Sequence, residues 1–328
     1  MKKITMLGVS NSGKTCFIYA MYDFMQRVQN GFTFLANDPD VDLELGDGWD
    51  TIANDGTWPN GTGATSSYDF TVMFNSRSVM NFSWYDYRGS ALTSKSNDNP
   101  DVKDLLDRIN DSECLIICIG ADTVKDYLNE NSGNRVFKRL NQFIQRYALN
   151  NQRRIPIIFA LTKADLYTKE DQPKLLKTIR DNFGILFQQG NKWMVAVVPV
   201  TLGVFKTSCD RNQPIQGTVA PKNIHIPVMF FMHCLLKEQI QNIQNKLHGI
   251  SFQKYKYGQE IKNNQGRSWW DKMWNGDNTS TLNANISNLS EEERNLTSQL
   301  TELETVFSSM KDMFRVCKIF FDGQELSI

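Results

Sequence analysis

The chain has 328 residues, of which 41% are hydrophobic and 22% are charged, as in soluble proteins with a packed core. Its 36 basic side chains balance its 36 acidic ones, so no overall positive field would attract nucleic acid or an anionic membrane. No apolar run reaches the roughly 18 residues that a membrane-spanning helix needs, and the apolar run at residues 4–9 is too short for a signal peptide.

The six cysteines form no C-x-x-C pair, and several of them lie in apolar runs. This pattern is typical of buried free thiols in a reducing compartment. We therefore expect a cytoplasmic protein without disulfides.

The first predicted elements are a strand over residues 3–7 and a helix over residues 15–25. Between them the chain reads GVSNSGKT, which fits the pattern G-x-x-x-x-G-K-[ST]. In this context the loop amides and the helix N-terminus bind phosphate, the lysine reaches the β- and γ-phosphates, and the hydroxyl after it binds Mg²⁺. The predicted phosphate-binding residues are Gly8, Ser10, Asn11, Ser12, Gly13, Lys14, Thr15 and Cys16.

Strands and helices then alternate along the chain. The later apolar runs are continuous, a pattern typical of strands that are covered on both faces. This alternation predicts an α/β fold with a mostly parallel sheet. The predicted strands cover residues 69–74, 78–86, 113–119, 155–161 and 193–200, and the predicted helices cover residues 102–109, 135–148 and 172–183.

Two polar motifs follow predicted strands. Asp86-Tyr87-Arg88-Gly89 has the form D-x-x-G, in which the aspartate can hold Mg²⁺ through water and the glycine amide can meet a γ-phosphate. Thr162-Lys163-Ala164-Asp165 comes directly after the apolar run IPIIFAL.

In this order, the three motifs resemble those of the Ras-like GTPases in the TRAFAC class of P-loop proteins. The resemblance implies that Asp165 accepts hydrogen bonds from guanine, that the stem of Lys163 packs along the base, and that Thr162 replaces a commoner asparagine. Thr201 matches the first residue of the fifth family element, [ST]-A-[KL], whereas Leu202-Gly203 depart from it. The resemblance covers about residues 1–248 and implies a GTPase domain that binds GTP or GDP with Mg²⁺.

A long insert at residues 30–68 is unlike compact Ras proteins. The whole pattern is similar to the bacterial double-GTPase families of multi-gene conflict systems. The resemblance implies a switch threonine that completes the Mg²⁺ coordination, which we assign to Thr62, with Thr65 as the alternative. The expected catalytic residues are then Lys14, Thr62 and Gly89, and the expected metal ligands are Thr15, Thr62 and Asp86.

Ser90 occupies the position where many Ras-like proteins have a glutamine that orients the attacking water. A serine is too short for that role, so we expect a molecular switch with slow, partner-stimulated GTP hydrolysis. The alternative is a non-hydrolysing, nucleotide-bound scaffold. The expected partner is a protein effector or activator that contacts the switch loops and the C-terminal extension.

The chain after residue 248 is predicted to form an aromatic-rich connector and a helical extension. A helix over residues 228–248 precedes it, and Ser290-x-x-Glu293 resembles a capping box that opens a second helix with leucines at heptad spacing. We favour an antiparallel coiled-coil hairpin of these two helices over an intermolecular coiled coil. Residues 316–321 could then add an edge strand to the sheet or pack on the GTPase domain.

Three tryptophans, Trp269, Trp270 and Trp274, lie close together between the two predicted helices. Such a cluster can cap a helical hairpin, form a protein interface or anchor a protein at a membrane surface. We favour the cap and expect no membrane contact. The polar residues 275–288 are predicted to be a linker.

Overall fold

The computed structural model describes residues 1–59, 65–87, 100–130, 135–205, 214–268 and 278–326. These residues form a mixed α/β fold with C-terminal helices. Two compact units are present: Met1–Phe231 with Asp312–Ile328, and Met232–Lys311. The tryptophan cluster (Trp269, Trp270 and Trp274) lies outside the described residues.

A nine-stranded sheet forms the centre of the first unit. The strands of the described chain are β1 (Lys2–Leu7), β2 (Phe32–Ala36), β3 (Ser66–Phe74), β4 (Arg77–Asp86), β5 (Cys114–Gly120), β6 (Ile157–Thr162), β7 (Met194–Pro199), β8 (Thr201–Phe205), β9 (Gly217–Lys222), β10 (Lys318–Phe321) and β11 (Gln324–Leu326). The order across the large sheet is β11-β10-β7-β6-β5-β1-β4-β3-β2, while β8 and β9 form a separate two-stranded sheet. The five central strands are parallel, and the two strands on each side are antiparallel. The predicted α/β fold with a mostly parallel sheet is therefore confirmed.

The helices within the described ranges are α1 (Lys14–Gln26), α2 (Pro39–Ala53), α3 (Pro100–Asp111), α4 (Ala121–Glu130), α5 (Arg135–Asn150), α6 (Gln172–Asn182), α7 (Ile226–Gln265) and α8 (Thr279–Ser309). One face of the sheet packs on α3, α4, α5 and α6, whose buried side chains join those of β5, β6 and β7 in one apolar cluster. On β4, Trp84 contacts Phe17 of α1 and Phe82 contacts Phe231 of α7. The central strands are thus apolar on both sides, as their continuous apolar runs indicate.

The insert at residues 30–68 contains β2 and α2, two elements that are not predicted from the sequence. The Asp38 carboxylate accepts a hydrogen bond from the Asp40 amide at the start of α2, as an N-cap does. The apolar side chains of α2, Leu45, Trp49 and Ile52, are buried. Their four- and three-residue spacing marks one face of a helix, so the helical signal is present in the sequence.

The C-terminal strand returns to the large sheet. Strand β10 pairs antiparallel with β7, and β11 pairs with the other side of β10. Of the two alternatives for residues 316–321, the chain adds a strand to the sheet, and β11 pairs outside it at the edge.

The second unit consists of two long helices. Helix α7 continues to Gln265, beyond the predicted end at residue 248, and α8 begins at Thr279. The predicted capping box is therefore wrong: Ser290 lies inside α8, and its Oγ donates to the Ile286 carbonyl. The predicted linker at residues 275–288 is wrong for residues 279–288, which are helical.

Three contacts show the relative direction of the two helices in the second unit. The rings of His233 and Phe307 stack with centroids 4.3 Å apart, Lys254 and Glu293 form an ion pair at 2.7 Å, and Asn264 Nδ2 donates to Asn278 Oδ1 at 2.6 Å. Because residue numbers rise along α7 as they fall along α8, the helices are antiparallel.

The described cysteines Cys16, Cys114, Cys118, Cys234 and Cys317 are all free. Among the helices that the structure describes, none has both the length and the apolar character required to cross a membrane.

Candidate functional site

The loop between β1 and α1 has two residues in the left-handed region, Asn11 with φ 66° and Gly13 with φ 83°. Gly13 directly precedes α1 and has no side chain with which to cap the helix. Left-handed residues in such a loop turn successive amides towards one point, and an uncapped helix N-terminus attracts an anion. Ser10 and Asn11 are exposed, whereas Thr15 and Cys16 are half-buried.

Lys14 is the buried cation of this loop, with 7% of its surface exposed. Its Nζ donates to the carbonyl of Gly8 at 2.8 Å and to that of Val9 at 3.3 Å. Burial lowers the pKa of Lys14, while the charge of Asp86 acts in the opposite direction. A buried ammonium is stabilised by an anion, so the loop is electrostatically suited to phosphate.

The Oγ of Ser12 is buried without a hydrogen-bond partner among the residues that the structure describes. It lies over Gly8, where an added Cβ would come within 2.4 Å of it. An orphaned buried hydroxyl beside a left-handed loop and a buried lysine is a polar group that a ligand oxygen would satisfy.

Asp86 is the last residue of β4 and is 1% exposed. It pairs in register with Met6 of β1 and with Ser66 of β3, and its charge acts on Lys14. Thr65 immediately precedes Ser66. The structure thus brings together Asp86 and Lys14, with Thr65 next to the strand that pairs with Asp86, whereas Thr62, Gly89 and Ser90 lie outside the described residues.

A magnesium ion prefers oxygen ligands and retains some waters or phosphate oxygens. The hydroxyl of Thr15 at the start of α1 and the carboxylate of Asp86 supply that kind of donor. The residues at this end of the site therefore fit Mg²⁺.

Thr162 joins the loop between β1 and α1 (residues 8–13, called the phosphate loop below) to the next part of the candidate site. It is the last residue of β6 and is 5% exposed, and its Oγ1 donates to the Ser12 carbonyl at 2.7 Å. A threonine hydroxyl in this position fixes the T-K-x-D segment against the phosphate loop, across 150 residues of chain.

Asp165 is oriented by Thr201, the first residue of β8. The Thr201 Oγ1 donates to Asp165 Oδ1 at 2.8 Å and accepts from the Gly203 amide at 3.1 Å. At Gly203 an added Cβ would come within 1.9 Å of the Thr218 carbonyl of β9, so the glycine permits close pairing of the two strands. Leu202-Gly203, which differ from the family element [ST]-A-[KL], thus lie in β8, where the pairing with β9 begins.

Lys163 has a left-handed backbone, with φ 55°, and its Nζ forms an ion pair with Asp122 Oδ2. Asp122 lies in the first turn of α4, at the end of β5. This residue is not among those predicted from the sequence. The only indication in the sequence is the position of Asp122. It comes two residues after the buried apolar strand β5, whose carboxyl end lies at the same sheet edge as the motifs.

No protein-family model matches this chain, and no curated protein matches it. Among solved structures, the G domain of the T. maritima FeoB iron transporter is 12% identical, with a TM-score of 0.28, over 61% of this chain and 87% of that one. A variant of SsGBP is 13% identical, with a TM-score of 0.30, over 61% of this chain and 50% of that one. At these values the likenesses carry no conclusion about what this chain binds.

Proposed function

We propose that this protein binds GTP and GDP with Mg²⁺ and acts as a molecular switch of the P-loop GTPase kind. The observation that carries the proposal is the hydrogen bond from Thr162 Oγ1 to the Ser12 carbonyl, at 2.7 Å. It joins the loop suited to phosphate with the segment that bears Asp165, which supports a single nucleotide site formed by both.

At the phosphate end, Lys14 and the N-terminus of α1 would bind the β- and γ-phosphates, and the Ser12 hydroxyl would donate to an oxygen of the phosphate chain. Thr15 and Asp86 would hold the metal ion, with Thr62 or Thr65 as the switch threonine. Mg²⁺ would supply charge neutralisation for the phosphates.

At the base end, the carboxylate of Asp165 would accept from the ring N–H and the exocyclic amine of guanine. Adenine lacks this pair of donors on its pairing edge, so the carboxylate favours GTP over ATP. The hydrogen bond from Thr201 holds one carboxylate oxygen in place, which reduces the orientational freedom that binding would otherwise remove.

Ser90 in place of the water-orienting glutamine supports slow hydrolysis that a partner protein stimulates. By its sequence resemblance to the double-GTPase families, we propose that the partner belongs to a bacterial multi-protein system, for which defence is a candidate role. The candidate contact regions for this partner are the switch loops, helices α7 and α8, and the tryptophan-containing segment between these helices.

The proposal is tested by measuring GTP, GDP, ATP and XTP affinities by calorimetry with Mg²⁺, for the unsubstituted chain and for Asp165→Asn. Asn reverses the donor–acceptor pattern, so the variant should lose GTP affinity by about 10²-fold or more, because buried polar groups are left unpaired, and gain affinity for XTP. Asp181→Asn is the matched control, because Asp181 is an exposed carboxylate of α6, and it should change nothing.

Equal affinity for GTP and ATP, or GTP binding that Asp165→Asn leaves unaltered, would contradict the assignment of the base. Single-turnover hydrolysis then tests the rate. Fast GTP hydrolysis without a partner would contradict the proposal of a slowly hydrolysing switch. Tight GTP binding without hydrolysis, whichever partner is added, would favour the non-hydrolysing scaffold.

A further inference from the structure

The ion pair between Lys163 and Asp122 joins the T-K-x-D segment to the start of α4. The Lys163 side chain is 18% exposed and that of Asp122 is 38% exposed, so the pair is only partly in contact with water. Lys163 follows Thr162, which is held at the phosphate loop, and precedes Asp165 by two residues. The backbone of Lys163 therefore lies between the two halves of the site, and its ammonium is held by Asp122.

Asp122 is itself held in place by its surroundings. Its Oδ1 accepts from the Thr123 amide at 2.8 Å, while Oδ2 faces Lys163. The carboxylate folds over Gly120, where an added Cβ would come within 2.1 Å of Oδ1. Glycine at the end of β5 is thus the residue that lets this carboxylate approach the backbone.

A lysine of α4 also contacts the T-K-x-D segment and the residues after it. Lys125 Nζ donates to the Leu166 carbonyl and lies 3.4 Å from Asp171 Oδ2. The first turns of α4 therefore hold the segment over residues 163–171 at both of its ends.

We infer that Asp122 is a positioning residue of the nucleoside end of the site, which acts by holding the ammonium of Lys163 so that the lysine stem is presented to the base. The inference rests on the proposed GTP-binding function. An ammonium without this partner would sample many rotamers, and nucleotide binding would have to restrict them. Because the Asp122 carboxylate already restricts the Lys163 rotamers before the nucleotide binds, this entropy loss does not weaken binding.

A double-mutant cycle with Asp122→Asn and Lys163→Met tests this inference. Asn keeps an acceptor for the Thr123 amide but loses the charge, and Met keeps the apolar stem but loses the ammonium. We expect each single variant to weaken GTP and GDP binding by the same factor, about three- to tenfold, because the pair acts on the nucleoside and not on the γ-phosphate. The double variant should bind no more weakly than Lys163→Met alone.

The control pair is Lys177→Met with Asp181→Asn, which removes an exposed ion pair within α6 and should leave affinity unaltered.

Urea unfolding of every variant separates positioning from stability, since a purely structural role would lower the midpoint and leave affinity intact in the folded protein. Additive losses in the cycle, or Asp122→Asn with unchanged affinity, would overturn the inference while GTP binding stands. Failure of the unsubstituted chain to bind GTP would overturn the proposed function and the inference with it.

Discussion

Gly8 is the first residue after β1, and two neighbouring atoms leave no room for a Cβ at this position. An added Cβ would lie 2.4 Å from Ser12 Oγ and 2.8 Å from the Cys118 carbonyl. The hydroxyl could rotate away, but the carbonyl belongs to the backbone of β5 and is fixed by the sheet. Position 8 is therefore restricted to glycine by packing and not by backbone conformation.

We expect Gly8→Ala to lower the free energy of unfolding by about 1–3 kcal/mol, the usual cost of overpacking a rigid site. Gly46→Ala is the control, because Gly46 lies in α2 and its added Cβ would meet nothing within 4 Å. That change should raise the free energy of unfolding by about 0.5–1 kcal/mol, since alanine loses less backbone entropy in a helix. Urea denaturation measures both, and destabilisation of equal size at the two positions would contradict the packing argument.

The loop between β1 and α1 could be located from residue types, because the phosphate binding that we propose for it needs glycine, lysine and a hydroxyl at fixed spacing. Asp122 could not be predicted in this way, since its contact with Lys163 depends on how α4 leaves the sheet. The same holds for the Thr162 hydrogen bond to Ser12. A threonine after a strand is common, and only the three-dimensional neighbour gives it a role.

At the scale of elements, the sequence predicts the central strands and α1 because buried strands and amphipathic helices have distinct apolar periods. Helix α2 was not predicted although its buried apolar side chains have helical spacing, because two glycines and five acidic residues interrupt the pattern. Tyr22 of α1 donates to Asp42 of α2 at 2.6 Å, a tertiary contact that the local sequence does not contain. The capping box at Ser290 is wrong because α8 begins earlier, next to Asn278, whose Oδ1 accepts a hydrogen bond from Asn264 of α7.

Strand β10 offers a test of how far the C-terminus contributes to the first unit. Phe320 is 1% exposed and contacts Phe187 with ring centroids 5.2 Å apart, whereas its neighbour Phe321 is 42% exposed. We expect Phe320→Ala to cost about 3–5 kcal/mol of unfolding free energy, as for other buried aromatic side chains. Phe321→Ala, in the same strand, should cost much less. Chemical denaturation that finds equal effects would show that β10 is not part of the core.

At the scale of the whole molecule, each compact unit contains a half-buried histidine stacked on a phenylalanine. His225 in the first unit stacks on Phe24 with centroids 4.7 Å apart, and burial lowers its pKa to about 4. His233 in the second unit stacks on Phe307, and burial, with a smaller effect from Lys237, lowers its pKa to about 4. Both units should therefore respond to acid in the same pH range.

The unfolded chain binds a proton at each of these histidines near the ordinary pKa of about 6.5, whereas the folded units resist protonation until about pH 4. Stability is thus fully present above pH 6.5 and is lost as the pH falls from there towards pH 4. We expect each histidine to account for about 1–2 kcal/mol of lost stability between pH 7 and pH 5. The variants His225→Phe and His233→Phe should reduce this dependence, each in its own unit, while His248→Gln, at an exposed position, should leave it intact. Urea unfolding at the two pH values measures the effect, and equal pH dependence in the unsubstituted chain and in both phenylalanine variants would show that other groups control the acid response.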